Sequence, residues 1–149
     1  MTKDVLVTVS GLQNTGDGEP EKIEVITNGS YYKKKNVHYL LYNEIVDNEH
    51  EVIKNMAKFD NDTFYISKSG YTNVNMSFEE NKRNITNYIT PYGNMLVGVD
   101  ADTINVVEDE DNISVDIKYS LDINYEHYAD CSLQLNITAK DNNERFKLQ

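Results

Sequence analysis

The sequence predicts an all-β domain, a single antiparallel barrel of about 8–10 strands, and three observations carry the prediction. Long stretches alternate apolar and polar residues with a period of two, the signature of a strand with one dry face and one wet face. Turn-forming clusters recur about every 8–12 residues, a spacing typical of an all-β sandwich or barrel. One alternating run slips phase by a residue, which demands a bulge of the kind that bends strands in small barrels. Strong helical periodicity, internal repeats, low-complexity tracts and linkers are all missing from the pattern, so one domain is expected over residues 1–149.

The elements follow in order. Val5, Val7 and Val9 alternate with Leu6, Thr8 and Ser10 in the first expected strand; Ile23 and Val25 mark the second, after the turn-rich NTGDGEPE. Lys33-Lys34-Lys35 fits a charged hairpin tip. The next run, VHYLLYNEIV, is apolar on both faces and is expected to be covered on both sides, by a helix, a loop or a second subunit, so a homodimer is one arrangement it points to. EVIKNMAKF, TFYISK and YTNVNMSFE are separated by DND and SG; Phe64 and Ile66 share one face, as do Val74, Met76 and Phe78.

Thr90-Pro91-Tyr92-Gly93 reads as a hairpin turn, with Pro91 fixing φ at about −65° and Gly93 free to take a positive φ. A turn does not require the aromatic at its tip, so Tyr92 is a candidate for plugging the barrel mouth or stacking on a ligand. Met95, Val97, Val99 and Ala101 then occupy odd positions and Ile104 and Val106 even ones, which puts the bulge near Asp102-Thr103. Gly98 in that strand lets the backbone bend or pack closely. The cleanest alternation runs from Ile113 to Tyr125 and resumes from Cys131 to Ala139, with His127 to Asp130 expected as the hairpin loop between them. Cys131 falls on the dry face, where a thiol packs as a small hydrophobe.

A chain of 149 residues buries roughly 70% of its unfolded surface and needs no disulfide for a core. Its apolar share of 39% is below the usual value of about 45–50%, and 11 tyrosines, whose rings bury well, make up part of the deficit. The net charge of −11 repels phosphates and anionic headgroups, so neither nucleic acid nor a membrane surface is expected as a partner. No apolar run approaches the roughly 18 residues of a spanning helix. Without a basic segment followed by an apolar one at the start, and with one cysteine, a cytoplasmic location is expected.

For chemistry the chain offers little. His38, His50 and His127 lie on different segments and no zinc-like spacing occurs, so no metal or cofactor is expected. The acidic run from Glu108 to Asp111 lacks the order of a calcium loop and fits a solvated hairpin turn. Gly16-Asp17-Gly18 is not followed by the helix a phosphate loop needs. Asp100 and Asp102, joined by Tyr92, are the grouping on which a carboxylate enzyme would rest; it is a remote alternative.

The order GSYYKKKNVHYLLYNE, YISKSGYTNVNMSFEENKR, NYITPYGNMLVGVDADTI and then the long hairpin ISVDIKYSLDIN to LQLNITAK resembles the YwiB-like family of bacterial proteins of unknown function. The resemblance covers nearly the whole chain, and Ser69-Gly70, Met76-x-Phe78 and Thr90-Pro91-Tyr92-Gly93 are its most specific pieces. It implies a lipocalin-like, or calycin, β-barrel in the cytoplasm of Gram-positive bacteria, and no established activity, so no catalytic residue is carried over. Many family members have Arg before Ser-Gly; Lys68 keeps the charge without the bidentate fork. The chain has no Trp, and with it no Gly-x-Trp signature of true lipocalins.

Two functions compete. In one, a small amphipathic molecule enters a lumen lined at its wall or mouth by Phe64, Met76, Phe78, Tyr92, Tyr119 and Tyr125. In the other, those side chains fill the barrel, as about eight strands allow, and the outer surface serves protein interaction or self-assembly. An open cavity of about 300 Å³ favours the first.

Overall fold

The computed structural model of the protein describes residues 3–46, 51–70 and 73–140, without the side chains of Val46 and Thr90. These residues form ten strands and no helix: β1 (Lys3–Asn14), β2 (Glu21–Lys34), β3 (Val37–Val46), β4 (Glu51–Phe59), β5 (Thr63–Gly70), β6 (Val74–Glu79), β7 (Arg83–Thr90), β8 (Gly93–Glu108), β9 (Asn112–Ile123) and β10 (Glu126–Ala139). All pairings are antiparallel, in the order β6-β5-β4-β3-β2-β1-β10-β9-β8-β7. The pairing of β1 with β10, Val5 opposite Ala139, joins the two halves of the meander. The sheet curls until its edges meet, where Asn73 and Ile89 exchange reciprocal backbone hydrogen bonds of 3.0 Å.

Alternation decides what faces the inside. Val5 and Val7 of β1, Leu40 of β3, Ala57 and Phe59 of β4, and Val115 and Ile117 of β9 are buried in one core. Rings run through it in sequence: His38 stacks on Phe59 at 4.7 Å, Phe59 on Phe64 at 5.5 Å, Phe64 meets the edge of Phe78, and Phe78 meets that of Tyr119 at 4.9 Å. Each of these contacts adds to simple area burial, and together they tie β3 through β6 to β9 across the interior.

The doubly apolar strand is β3, and it is covered on one side. His38, Leu40 and Tyr42 are buried, whereas Leu41 is 46% and Ile45 74% exposed on the outer face, which nothing within the described residues covers.

The phase slip is a bulge at Asp102. Ala101 lies opposite Tyr119 and Thr103 opposite Lys118, so Asp102 has no partner and Ile104 returns to the core. The turn between β6 and β7 secures it. Asn81 N–H donates to the Ala101 carbonyl at 2.8 Å, and Ile104 N–H donates to Glu80 Oε2 at 2.9 Å.

The β9–β10 connection differs from expectation. The turn is Asn124-Tyr125, both at positive φ (51° and 71°), and His127 to Asp130 belong to β10. Two successive positive φ values make the hairpin turn whose twist matches its strands. A bulge at Tyr128, between His127 and Ala129, then restores the phase that points Cys131, Leu135 and Ile137 inward. Because alternation ran unbroken into Tyr125, the sequence hid the turn. At the β7–β8 turn, Gly93 adopts φ 134°, as its place after Pro91-Tyr92 requires.

Candidate functional site

On β3 the inward positions are even, on β4 odd and on β5 even, so the same parity that buries Leu40, Ala57 and Ile66 also turns Tyr42, Glu44, Asn55 and Lys68 inward. Asn55 pairs across the sheet with Tyr42 on one side and Lys68 on the other. Lys68 Nζ donates to Glu44 Oε1 and to Asn55 Oδ1, both at 2.7 Å, and Asn55 Nδ2 donates to Glu44 Oε1 at 2.9 Å. The ion pair is partly buried, its side chains 26% and 23% exposed, and Asn55 is 3% exposed. A charge pair so placed offsets its desolvation through the hydrogen bonds that hold it.

Tyr42 stands beside the network at 6% exposure. Burial, reinforced by Glu44, holds its phenol well above the usual range, so it is a neutral donor at any physiological pH. Among the described residues its hydroxyl has no hydrogen-bond partner.

Tyr42 and Lys68 form the neck between two adjoining spaces, with Glu44 on the side of one of them. The inner chamber, of about 120 Å³, is walled by apolar groups including Phe64, Ile66, Met76, Phe78 and Leu135. The outer vestibule, of about 220 Å³, reaches Leu12, Gln13, Ile23 and Glu44. Val9, Tyr42, Lys68, Tyr119 and Leu133 line both. The outcome lies between the two expectations: rings fill much of the interior, and a funnel remains beside them.

Of the residues expected at the lumen or mouth, Phe64, Met76, Phe78 and Tyr119 come together on the chamber wall. Tyr92 and Tyr125 do not: they sit on turns, 86% and 70% exposed, and line neither space. Tyr119 leans on Cys131, whose thiol burial pushes up, away from the thiolate that a nucleophile needs. Sequence reading missed Tyr42, Glu44 and Asn55. Lys68 was legible as the next inward position after Phe64 and Ile66.

At the opposite end of the barrel, the Tyr31 hydroxyl and His38 Nδ1 share a hydrogen bond of 2.7 Å. His38 is 3% exposed, and its Nε2 lies 3.7 Å from Glu108 Oε1, a carboxylate that Lys33 grips at 3.1 Å. Burial, with help from Glu108, pushes the Tyr31 phenol up to about 12. Burial also lowers the His38 pKa, with Lys33 adding to the effect and Glu108 and Asp60 opposing it.

The acidic grouping is dispersed. Asp100 is on the outer face of β8, where Arg83 holds it at 2.6 Å and reaches Asp122 at 2.5 Å. The guanidinium crosses Gly98, where a Cβ would stand 2.8 Å from Arg83 Nη2, so the close approach foreseen for this glycine is to a side chain. Tyr92 is seven strand positions and more from Asp100, roughly 20 Å or more. No acid, base and nucleophile converge there.

Fold and site together define an antiparallel β-barrel with a partly open lumen. The family model described as "Domain of unknown function (DUF1934)" matches residues 7–135, and the chain belongs to that family. It is 29% identical over 109 residues to the "Uncharacterized beta-barrel protein YwiB" of Bacillus subtilis, a match covering 72% of this chain and 74% of that one. The crystal structure of the Bacillus subtilis ywiB protein superposes on it with a TM-score of 0.80 at 24% identity, over 94% of each chain, which establishes the shared fold.

Proposed function

We propose that the protein is a cytoplasmic binding protein that takes a small amphipathic molecule into the funnel, its apolar part in the inner chamber and its polar part at the neck. The observation that carries this reading is the Tyr42 hydroxyl: a side chain 6% exposed, lining both spaces, whose donor is unmatched among the described residues. Its oxygen is not sealed from solvent, because Asn84 Nδ2 is the one sealed side-chain N or O atom left without a partner among the described residues, so the hydroxyl is open to the spaces that Tyr42 lines, and a ligand acceptor at the neck takes its hydrogen bond in place of water. The mostly apolar chamber of about 120 Å³ opens onto the vestibule, and apolar cavities of about 150 Å³ bind benzene, so a small ring is the scale of body that chamber and neck together take. The single cysteine, buried and not in a disulfide, fits a cytoplasmic setting.

Benzene titrated into the protein tests the reading by nuclear magnetic resonance of the methyl groups. Shifts concentrated on Leu133, Leu135 and Ile66, abolished when Met76→Trp fills the chamber, are the expected result. Unmoved methyls up to the solubility limit of benzene would refute it.

A further inference from the structure

The hydrogen-bonding groups left over at the neck define what it accepts. An ammonium has three N–H donors; Lys68 gives one to Glu44 and one to Asn55, which leaves a third. Glu44 Oε1 accepts from both Lys68 and Asn55, while Oε2 has no partner among the described residues. The Tyr42 hydroxyl adds a second donor beside them. Two donors and one acceptor are thus left over around the neck, with Tyr42 and Lys68 lining both spaces and Glu44 lining the vestibule.

Charge narrows the choice. Lys68 and Glu44 already neutralise each other at 2.7 Å, with side chains only 26% and 23% exposed. An anionic head would gain Lys68 but meet the Glu44 carboxylate, and a cationic head would gain Glu44 but meet the Lys68 ammonium. Either would surrender hydration without an unshared countercharge, a poor exchange in a partly buried site. A neutral head with an acceptor and a donor side by side suffers neither penalty: its carbonyl takes the Lys68 or Tyr42 donor, and its N–H serves Glu44 Oε2.

We infer that the funnel selects an uncharged ligand whose head is a primary carboxamide or an equivalent acceptor–donor pair, carried on an apolar body about the size of a benzene ring. The inference rests on the funnel being the binding site. It adds a rule of selection by charge that a merely greasy cavity does not have.

Benzene, benzamide, benzoate and benzylamine share one ring and differ in the head. Each is titrated into the full chain at pH 7 while backbone amide shifts at Tyr42, Lys68 and Leu133 are followed. Benzamide is expected to bind at least about tenfold more tightly than either charged analogue, the scale set by one hydrogen bond to a charged group. Glu44→Gln leaves the neck with the Lys68 charge unbalanced, and benzoate is expected to overtake benzylamine there by about tenfold or more. If benzene enters but benzoate or benzylamine matches benzamide in the unmodified protein, the selection rule is overturned while the binding site stands. If not even benzene enters, both fall.

Discussion

Among the described residues His38 is the one buried imidazole, and its environment sets a proton linkage that can be signed. At 3% exposure the ring is stacked on Phe59, and its Nδ1 shares a 2.7 Å hydrogen bond with the Tyr31 hydroxyl. Glu108, facing Nε2, is shared with Lys33, so it compensates a proton incompletely; Asp60 also favours the charged ring, and burial outweighs both. The folded pKa therefore lies below the ordinary 6.5. Between those two values the unfolded chain binds the proton and the folded chain does not, so stability rises with pH in that window. The contribution is fully present above 6.5, is lost as pH falls towards the folded value, and levels off below it. Urea unfolding at pH 7.5, 6.5 and 5.5 is expected to show this decline, and His38→Gln to flatten it. Equal slopes in the two proteins would remove His38 as the cause. None of this was legible in the sequence, because His38 meets Tyr31 across a hairpin and Glu108 from the far side of the barrel. Lys68 was half legible: alternation gave its direction, but its partners lie 13 and 24 residues away on other strands.

At the scale of the element, period-two patterning located most strands, and the reason is physical: a strand with one dry face must alternate or expose its core. The pattern failed where the constraint lapses. In VHYLLYNEIV both faces are apolar, so alternation could not say that Tyr42 and Glu44 point inward. At Tyr125 an apolar residue continued the rhythm into a turn. The bulge in β8 was legible as a change of phase, while its support was not, since Glu80 and Asn81 reach it from a turn more than 20 residues earlier in the chain. That support is testable. Glu80→Ala leaves the Ile104 N–H without its acceptor in a half-buried position and is expected to cost about 1–3 kcal/mol, read as a lower urea midpoint at unchanged m value. Glu80→Gln keeps an acceptor oxygen and is expected to lose less than half as much. If both variants lose the same, the carboxylate acts through its charge and not as the cap of the bulge.

Over the whole molecule, closure of the barrel concentrates what the composition announced. The chain carries 25 acidic and 14 basic residues, and a closed barrel brings the excess acids onto one convex surface whose self-repulsion opposes the compact state. Opposing that are ion pairs such as Lys33–Glu108, Arg83–Asp100 and Arg83–Asp122, each at least partly exposed. Added salt weakens both terms, so its net effect reports which is larger. Exposed pairs contribute about 0–1 kcal/mol each and act over a few ångströms, where screening is weakest. The repulsion of the unpaired acids acts over longer distances, where shortening the Debye length from about 30 Å to about 10 Å, as salt rises from about 0.01 to 0.1 M, removes most of it. Repulsion should therefore lose more, and Tm is expected to rise by a few degrees, the shift that about 1 kcal/mol produces in a domain of this size. The same rise with sodium chloride and potassium chloride would mark it as screening and not ion binding. A Tm that falls over that range would mean that the pairs linking β2 to β8 and β7 to β8 and β9 outweigh the repulsion, and that cross-strand charges, more than relief from crowded carboxylates, hold the barrel's outer wall together.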